Sequence, residues 1–110
     1  MIVKNLTQKT VISEDCKECK SWENQVLGLL KKDNPRSLLF KTKSGIHTFG
    51  LKEDIDVIVL NNNHQVVKLA EVKPNAFFFW NPKYNLILEL PKGTIKKSKT
   101  KLSDQISFSI

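Results

Sequence analysis

Two runs rich in β-branched residues constrain this chain most. Residues 56–60 read D-V-I-V-L and residues 65–72 read Q-V-V-K-L-A-E-V, separated by Asn61, Asn62, Asn63 and His64. Each run is short, favours extended backbone, and is bounded by residues that tolerate the positive φ of tight turns. The pair predicts a β-hairpin, and the same grammar recurs along the chain. Residues 1–6 and 10–13 read as an edge strand and its partner about a Thr7-Gln8-Lys9 turn. Leu38, Leu39 and Phe40 form a short buried strand before a turn at Lys43, Ser44 and Gly45. Residues 84–90 form another, with Leu86, Leu88 and Leu90 on one face and Ile87 and Glu89 on the other. A loop opening at Pro91 leads into a short helical turn, and residues 105–110 close the chain with Ile106, Phe108 and Ile110 inward.

One segment breaks the period of two. Cys19, Trp22, Val26, Leu29 and Leu30 recur at three- and four-residue intervals, predicting a helix over residues 15–31. Ser13 or Asp15 would cap it and Asp33-Asn34-Pro35 would end it. Many short strands and one early helix give a mainly β fold: a jelly-roll-like β-sandwich or partly closed barrel with one α-helix in the N-terminal half. At 110 residues the expectation is a single domain spanning residues 1–110.

No apolar stretch approaches the roughly 20 residues that a spanning helix needs, so the chain is not expected to cross a membrane by a helix. The polar N-terminal segment lacks a signal-peptide core, which points to the cytoplasm. Two cysteines, Cys16 and Cys19, do not make a disulfide scaffold.

The formal net charge is +7, and the excess is uneven. Near the start, Glu14, Asp15, Glu18 and Glu23 offset Lys17 and Lys20; later, Lys92, Lys96, Lys97, Lys99 and Lys101 meet no acid until Asp104. Such a patch attracts anions, including nucleic acid or acidic membrane. The reading preferred on sequence is a solvated lysine-rich face. Arginine, which leads in phosphate forks and base contacts, occurs once, at Arg36. Nucleic acid is therefore the least favoured partner class.

Residues 46–60 read I-H-T-F-G-L-K-E-D-I-D-V-I-V-L, followed by an amide-rich turn and the Val66-Val67 pair. Upstream stand Leu27-Gly28-Leu29-Leu30 and Ser37-Leu38-Leu39-Phe40; downstream stand Leu88-Glu89-Leu90-Pro91-Lys92-Gly93-Thr94 and Ser103-Asp104-Gln105-Ile106. In this order the blocks resemble the domain-of-unknown-function 192 family. This sequence departs from that pattern at Asp54 (usually proline), Leu51 (usually methionine) and Ser103 (usually glycine). An arginine usual before the Gly28-Leu29 pair is also missing. The resemblance implies a jelly-roll-like sandwich or partly closed barrel and supplies no reaction.

His47, Thr48, Asp56 and Glu89 are the polar residues inside the resembling blocks and form the candidate polar site. If His47 lay beside Asp56 with Glu89 reaching in, the group could bind a metal or act in acid–base chemistry. The alternative is that His47 and Asp56 hydrogen-bond loop backbone, as buried polar groups must. Cys16-Lys17-Glu18-Cys19 has redox or half-zinc-site spacing at a predicted helix start. No second pair accompanies it, and a buried Cys19 beside an exposed Cys16 is preferred. Phe77, Phe78, Phe79 and Trp80 cannot all face one core from a strand, because successive side chains alternate. They predict either a hydrophobic partner or self-association surface, or a plug for the end of a barrel.

The sequence identifies no catalytic group, cofactor or metal-ligand set. Three readings follow. The first is a ligand- or protein-binding module with a groove near His47, Asp56 and residues 77–80. The second is a small enzyme or metal-binding domain using His47, Asp56 and Glu89. The third is nucleic-acid binding through residues 92–101.

Overall fold

The structure, a computed structural model, describes residues 1–19, 37–42 and 45–109, with Cys19 described by its backbone only. Its strands are β1 (Ile2–Asn5), β2 (Thr10–Ser13), β3 (Lys17–Cys19), β4 (Leu38–Lys41), β5 (Gly45–His47), β6 (Ile55–Leu60), β7 (Val66–Val72), β8 (Phe77–Phe79), β9 (Leu86–Pro91) and β10 (Ile106–Ser109). The one helix among the described residues, α1 (Thr94–Ser98), precedes β10. The fold is mainly β, as expected, and its described sheets do not close into a barrel.

Three layers stack. A five-stranded sheet, ordered β3-β4-β9-β6-β7, lies between a three-stranded sheet, β10-β1-β2, and a two-stranded ribbon, β5-β8. The strand register explains the layering. Ile58 and Leu60 on β6 share a face with Leu88 and Leu90 on β9, and these pack with Val3, Ile12 and Ile106 of the three-stranded sheet. Ile55, Val57 and Val59 point the other way with Ile87 and Phe40, and are covered by Ile46, Phe78 and Trp80 of the ribbon region. β6 is consequently buried at all six positions, which is why, Asp56 apart, its sequence consists of isoleucine, valine and leucine rather than alternating with polar residues.

The β6–β7 hairpin forms where the asparagine cluster predicts it. The Asn61 carboxamide oxygen accepts from the backbone N–H groups of Asn63 and Gln65, and the left-handed residue is His64, at φ 61°. The turn also joins the sheets, because Ile106 N–H donates to His64 O and Ser103 N–H to Val66 O.

The early helix needs correction. Residues 14–15 bend, and residues 17–19 form β3, a parallel partner of β4 in which Lys17 pairs with Leu38. The predicted helical face was read from a spacing whose first member, Cys19, lies in this strand. The rest of that expectation, residues 20–31, lies outside the described residues, as do the Lys43-Ser44 turn and the inward placement of Ile110. Pro91, expected to start a loop, instead ends β9 opposite Ile55. Cys16, expected to be exposed, is buried in the first core cluster.

Candidate functional site

The ribbon sorts the aromatic run by alternation. Ile46 pairs with Phe78, and both turn inward, with Trp80 buried behind them and donating its indole N–H to Tyr84 O at 2.8 Å. On the opposite side, His47 pairs with Phe77 and Gly45 with Phe79. Phe77 and Phe79 are 62% and 63% exposed. Phe78 and Trp80 thus pack into the core, while Phe77 and Phe79 face out.

Phe49, which sequence reasoning did not single out, extends the outward side. Its ring stacks on His47 at 4.8 Å and meets Phe77 edge-on at 5.0 Å, while Phe77 stacks on Phe79 at 6.0 Å. The result is a row of four rings, Phe49, His47, Phe77 and Phe79. The signal was available: Phe49 is two residues from His47, the spacing that repeats a side on extended backbone. Gly45 is required for the row, since a Cβ there would stand 2.8 Å from the Phe79 ring. On the inward side of the ribbon the Lys68 ammonium lies 5.0 Å from the centre of the Phe78 ring and donates to Phe79 O at 3.0 Å.

Thr48 and Asn75 fix the row in place. Thr48 is fully buried; its hydroxyl donates to Lys73 O at 2.6 Å and accepts from Ala76 N–H at 2.9 Å. Asn75 adopts φ 58° and offers its carboxamide oxygen to Gly50 N–H. His47 Nδ1 accepts from Phe49 N–H at 3.3 Å.

The register separates the remaining candidates. Asp56 pairs with Leu90 on the face toward the three-stranded sheet, whereas Glu89 pairs with Val57 and Leu38 on the face toward the ribbon. The two carboxyls therefore lie on opposite faces of one sheet. Asp56 Oδ2 accepts Ile95 N–H at 2.8 Å, capping α1 from outside; that helix has no side-chain cap of its own, and its N-cap residue is Gly93, φ 89°. Burial pushes the Asp56 carboxyl above its ordinary range, against hydrogen bonds from the backbone of Ile95, Gly93 and Thr94. Glu89 is 1% exposed, and its Oε2 finds no hydrogen-bond partner among the described residues. Desolvation raises its pKa to about 8. Among the described residues no three His, Cys, Asp or Glu side chains cluster to hold a metal ion.

A second polar centre escaped the sequence. Asp104 accepts from Asn5 Nδ2 at 2.9 Å, from Lys101 N–H at 2.8 Å and from Gln8 Nε2 at 3.1 Å. Asn5 Nδ2 also reaches the Thr100 hydroxyl, which lies 2.7 Å from that of Ser98. Desolvation pushes the Asp104 carboxyl up, but these hydrogen bonds together outweigh it and hold the group below its ordinary range. A separate open groove of about 410 Å³, lined in part by Glu18, Leu39, His64, Leu86 and Phe108, includes none of the predicted site residues.

The three layers and outward aromatic row define a small mainly β domain of the sandwich class. The chain belongs to the UPF0127 family of uncharacterised proteins: it is 30% identical over 104 residues to the UPF0127 protein of Pyrococcus horikoshii, spanning 80% of this chain and 90% of that one. It is also similar to the Pyrococcus furiosus UPF0127 protein, 26% identical over 96% of each chain. No family model matches the sequence. Two crystal structures share the fold at a TM-score of 0.77. One is of a candidate transcription regulator from Sinorhizobium meliloti, 12% identical, covering 96% of this chain and 89% of that one. The other is of a protein of unknown function from Novosphingobium aromaticivorans, 14% identical, covering 97% of this chain and 82% of that one.

Proposed function

We propose that this chain is a non-catalytic binding module that holds an apolar segment of another protein against the row Phe49, His47, Phe77 and Phe79. The observation that carries the reading is the exposure of three phenylalanine rings packed on one another and on His47. The largest contiguous apolar patch on a monomer is often functional. Its size selects the partner. Three half- to two-thirds-exposed phenylalanines offer on the order of 350 Å². That is well short of the roughly 800 Å² per side of a stable dimer, so a short segment fits better than a second copy. The net charge of +7 favours acidic flanks on that segment.

A random-peptide display selection tests this. Wild-type protein is expected to enrich apolar peptides with acidic flanks, and the Phe77→Ser, Phe79→Ser variant is expected to lose them. Equal retention by the variant would sink the proposal. Light scattering should find the wild type monomeric.

The proposal extends to family and setting. We place the chain in the domain-of-unknown-function 192 family, and the support is conformational. Where that pattern carries glycine, this chain has Gly50 at φ 86°, Gly93 at φ 89° and Ser103 at φ 72°, all left-handed. The proposed setting is the cytoplasm, which suits a chain with two cysteines and no disulfide framework.

A further inference from the structure

The turns at residues 6–9 and 101–104 lie side by side. Leu6 N–H donates to Gln105 O at 2.8 Å, Gln105 N–H donates to the Thr7 hydroxyl at 2.8 Å, and Gln8 reaches Asp104. Each turn presents a leucine to solvent, Leu6 at 53% and Leu102 at 60% exposed. Around them stand exposed lysines: Lys9 on the first turn, Lys101 on the second, and Lys96, Lys97 and Lys99 on and just after α1. Thr10, next to Lys9, donates to Ser98 O, which holds that turn against the helix.

Among the described residues, the acids of this region do not neutralise the lysines at the surface. Asp104 is buried, and its oxygens are taken by Asn5, Gln8 and Lys101 N–H. Asp56 is buried beneath Ile95. Glu14 and Asp15 follow Ser13 at the far end of the β1–β2 hairpin, where Ser13 pairs with Val3. Lys92 is left out, because Pro91 pairs with Ile55 and brings it toward the Glu53-Asp54 turn.

We infer that this end of the molecule docks on an anionic lipid surface, with Leu6 and Leu102 entering the headgroup boundary and the lysines meeting lipid phosphates and carboxylates. Charge complementarity alone would suit nucleic acid equally. The leucines decide between them: a phosphate backbone gives exposed aliphatic side chains nowhere to go, whereas a bilayer interface buries them. Lysines alone supply the charge among the described residues here, and a lysine cluster is sufficient for diffuse attraction to acidic lipid. The site is independent of the aromatic row, so either can fail alone.

Co-sedimentation of the full chain with phosphatidylcholine vesicles containing about 30% phosphatidylserine tests it, alongside pure phosphatidylcholine vesicles and a short DNA duplex. Binding is expected to the acidic vesicles, to weaken as salt rises, and to be absent from the neutral ones. Lys96→Gln, Lys97→Gln, Lys99→Gln together should weaken it about a hundredfold, at about fivefold per lysine. Leu6→Ser with Leu102→Ser should weaken it about tenfold, and Phe77→Ser, Phe79→Ser should leave it unchanged. Retention of DNA with no retention on acidic vesicles would overturn the inference. So would acidic-vesicle binding that ignores the leucine pair.

Discussion

Asp56 on β6 and Glu89 on β9 stand on adjacent strands and are equally sequestered, at 3% and 1% exposed, but opposite faces of the sheet treat them differently. On the face toward the three-stranded sheet, chain turns arrive with backbone donors: α1 brings Ile95 N–H to Asp56, and the 101–104 turn brings Lys101 N–H to Asp104. On the ribbon side Glu89 Oε2 meets no donor among the described residues, and the side chain is held protonated at neutral pH. A buried carboxyl is cheap where a turn can be aimed at it and costly where the neighbours are strands, whose N–H groups are already spent on one another.

The largest effect expected from this contrast lies at Glu89. Its folded pKa of about 8 exceeds the ordinary 4.5, so the folded state binds the extra proton. Below the ordinary value both states are protonated and no stability is lost. Between 4.5 and about 8 only the unfolded chain ionises, so stability falls as pH rises, then levels off. The loss is on the order of 5 kcal/mol. Urea unfolding across this range should show the decline in wild type and a much shallower one in Glu89→Gln, the remainder belonging to Asp56; an unchanged decline would mean another group titrates.

Asp104 should behave with the opposite sign. Its folded pKa lies below the ordinary 3.8, so its contribution is present above that value and drains away as pH falls through the folded one. Asp104→Ala strands the donors of Asn5, Gln8 and Lys101 and should cost about 3 kcal/mol at neutral pH by denaturant unfolding. Asp56→Ala removes only the external cap of a single-turn helix and should cost about 1 kcal/mol, with Asp56→Asn milder because its carbonyl oxygen can still accept. Phe77→Ser, Phe79→Ser should change stability by no more than about 0.5 kcal/mol while abolishing peptide binding; a large stability loss would mean that the rings serve the fold.

The hairpins were legible in the sequence because their signals are local: an asparagine cluster between β-branched runs, or leucines alternating with Ile87 and Glu89. Which carboxyl shares a face with which depends on register between strands distant in sequence. His47, Asp56 and Glu89 could thus be drawn together on paper, although Asp56 and Glu89 face opposite ways. The Asn5–Asp104 network was invisible for the same reason, since its members come from opposite ends of the chain. Residues 15–19 misled through periodicity: a spacing of three and four begun at Cys19 masks a three-residue strand whose stability comes from pairing with β4.

The pairing of β1 with β10 has a consequence for biosynthesis. Val3 is fully buried by a sheet whose outer strand, β10, is made after every other described strand. During translation the first strand leaves the ribosome with a single neighbour, β2, and waits for residues 106–109 before its other edge is covered. A nascent chain stalled short of that point should remain open to proteases and chaperones, and release of β10 from the exit tunnel should be the event that commits the molecule to its native state.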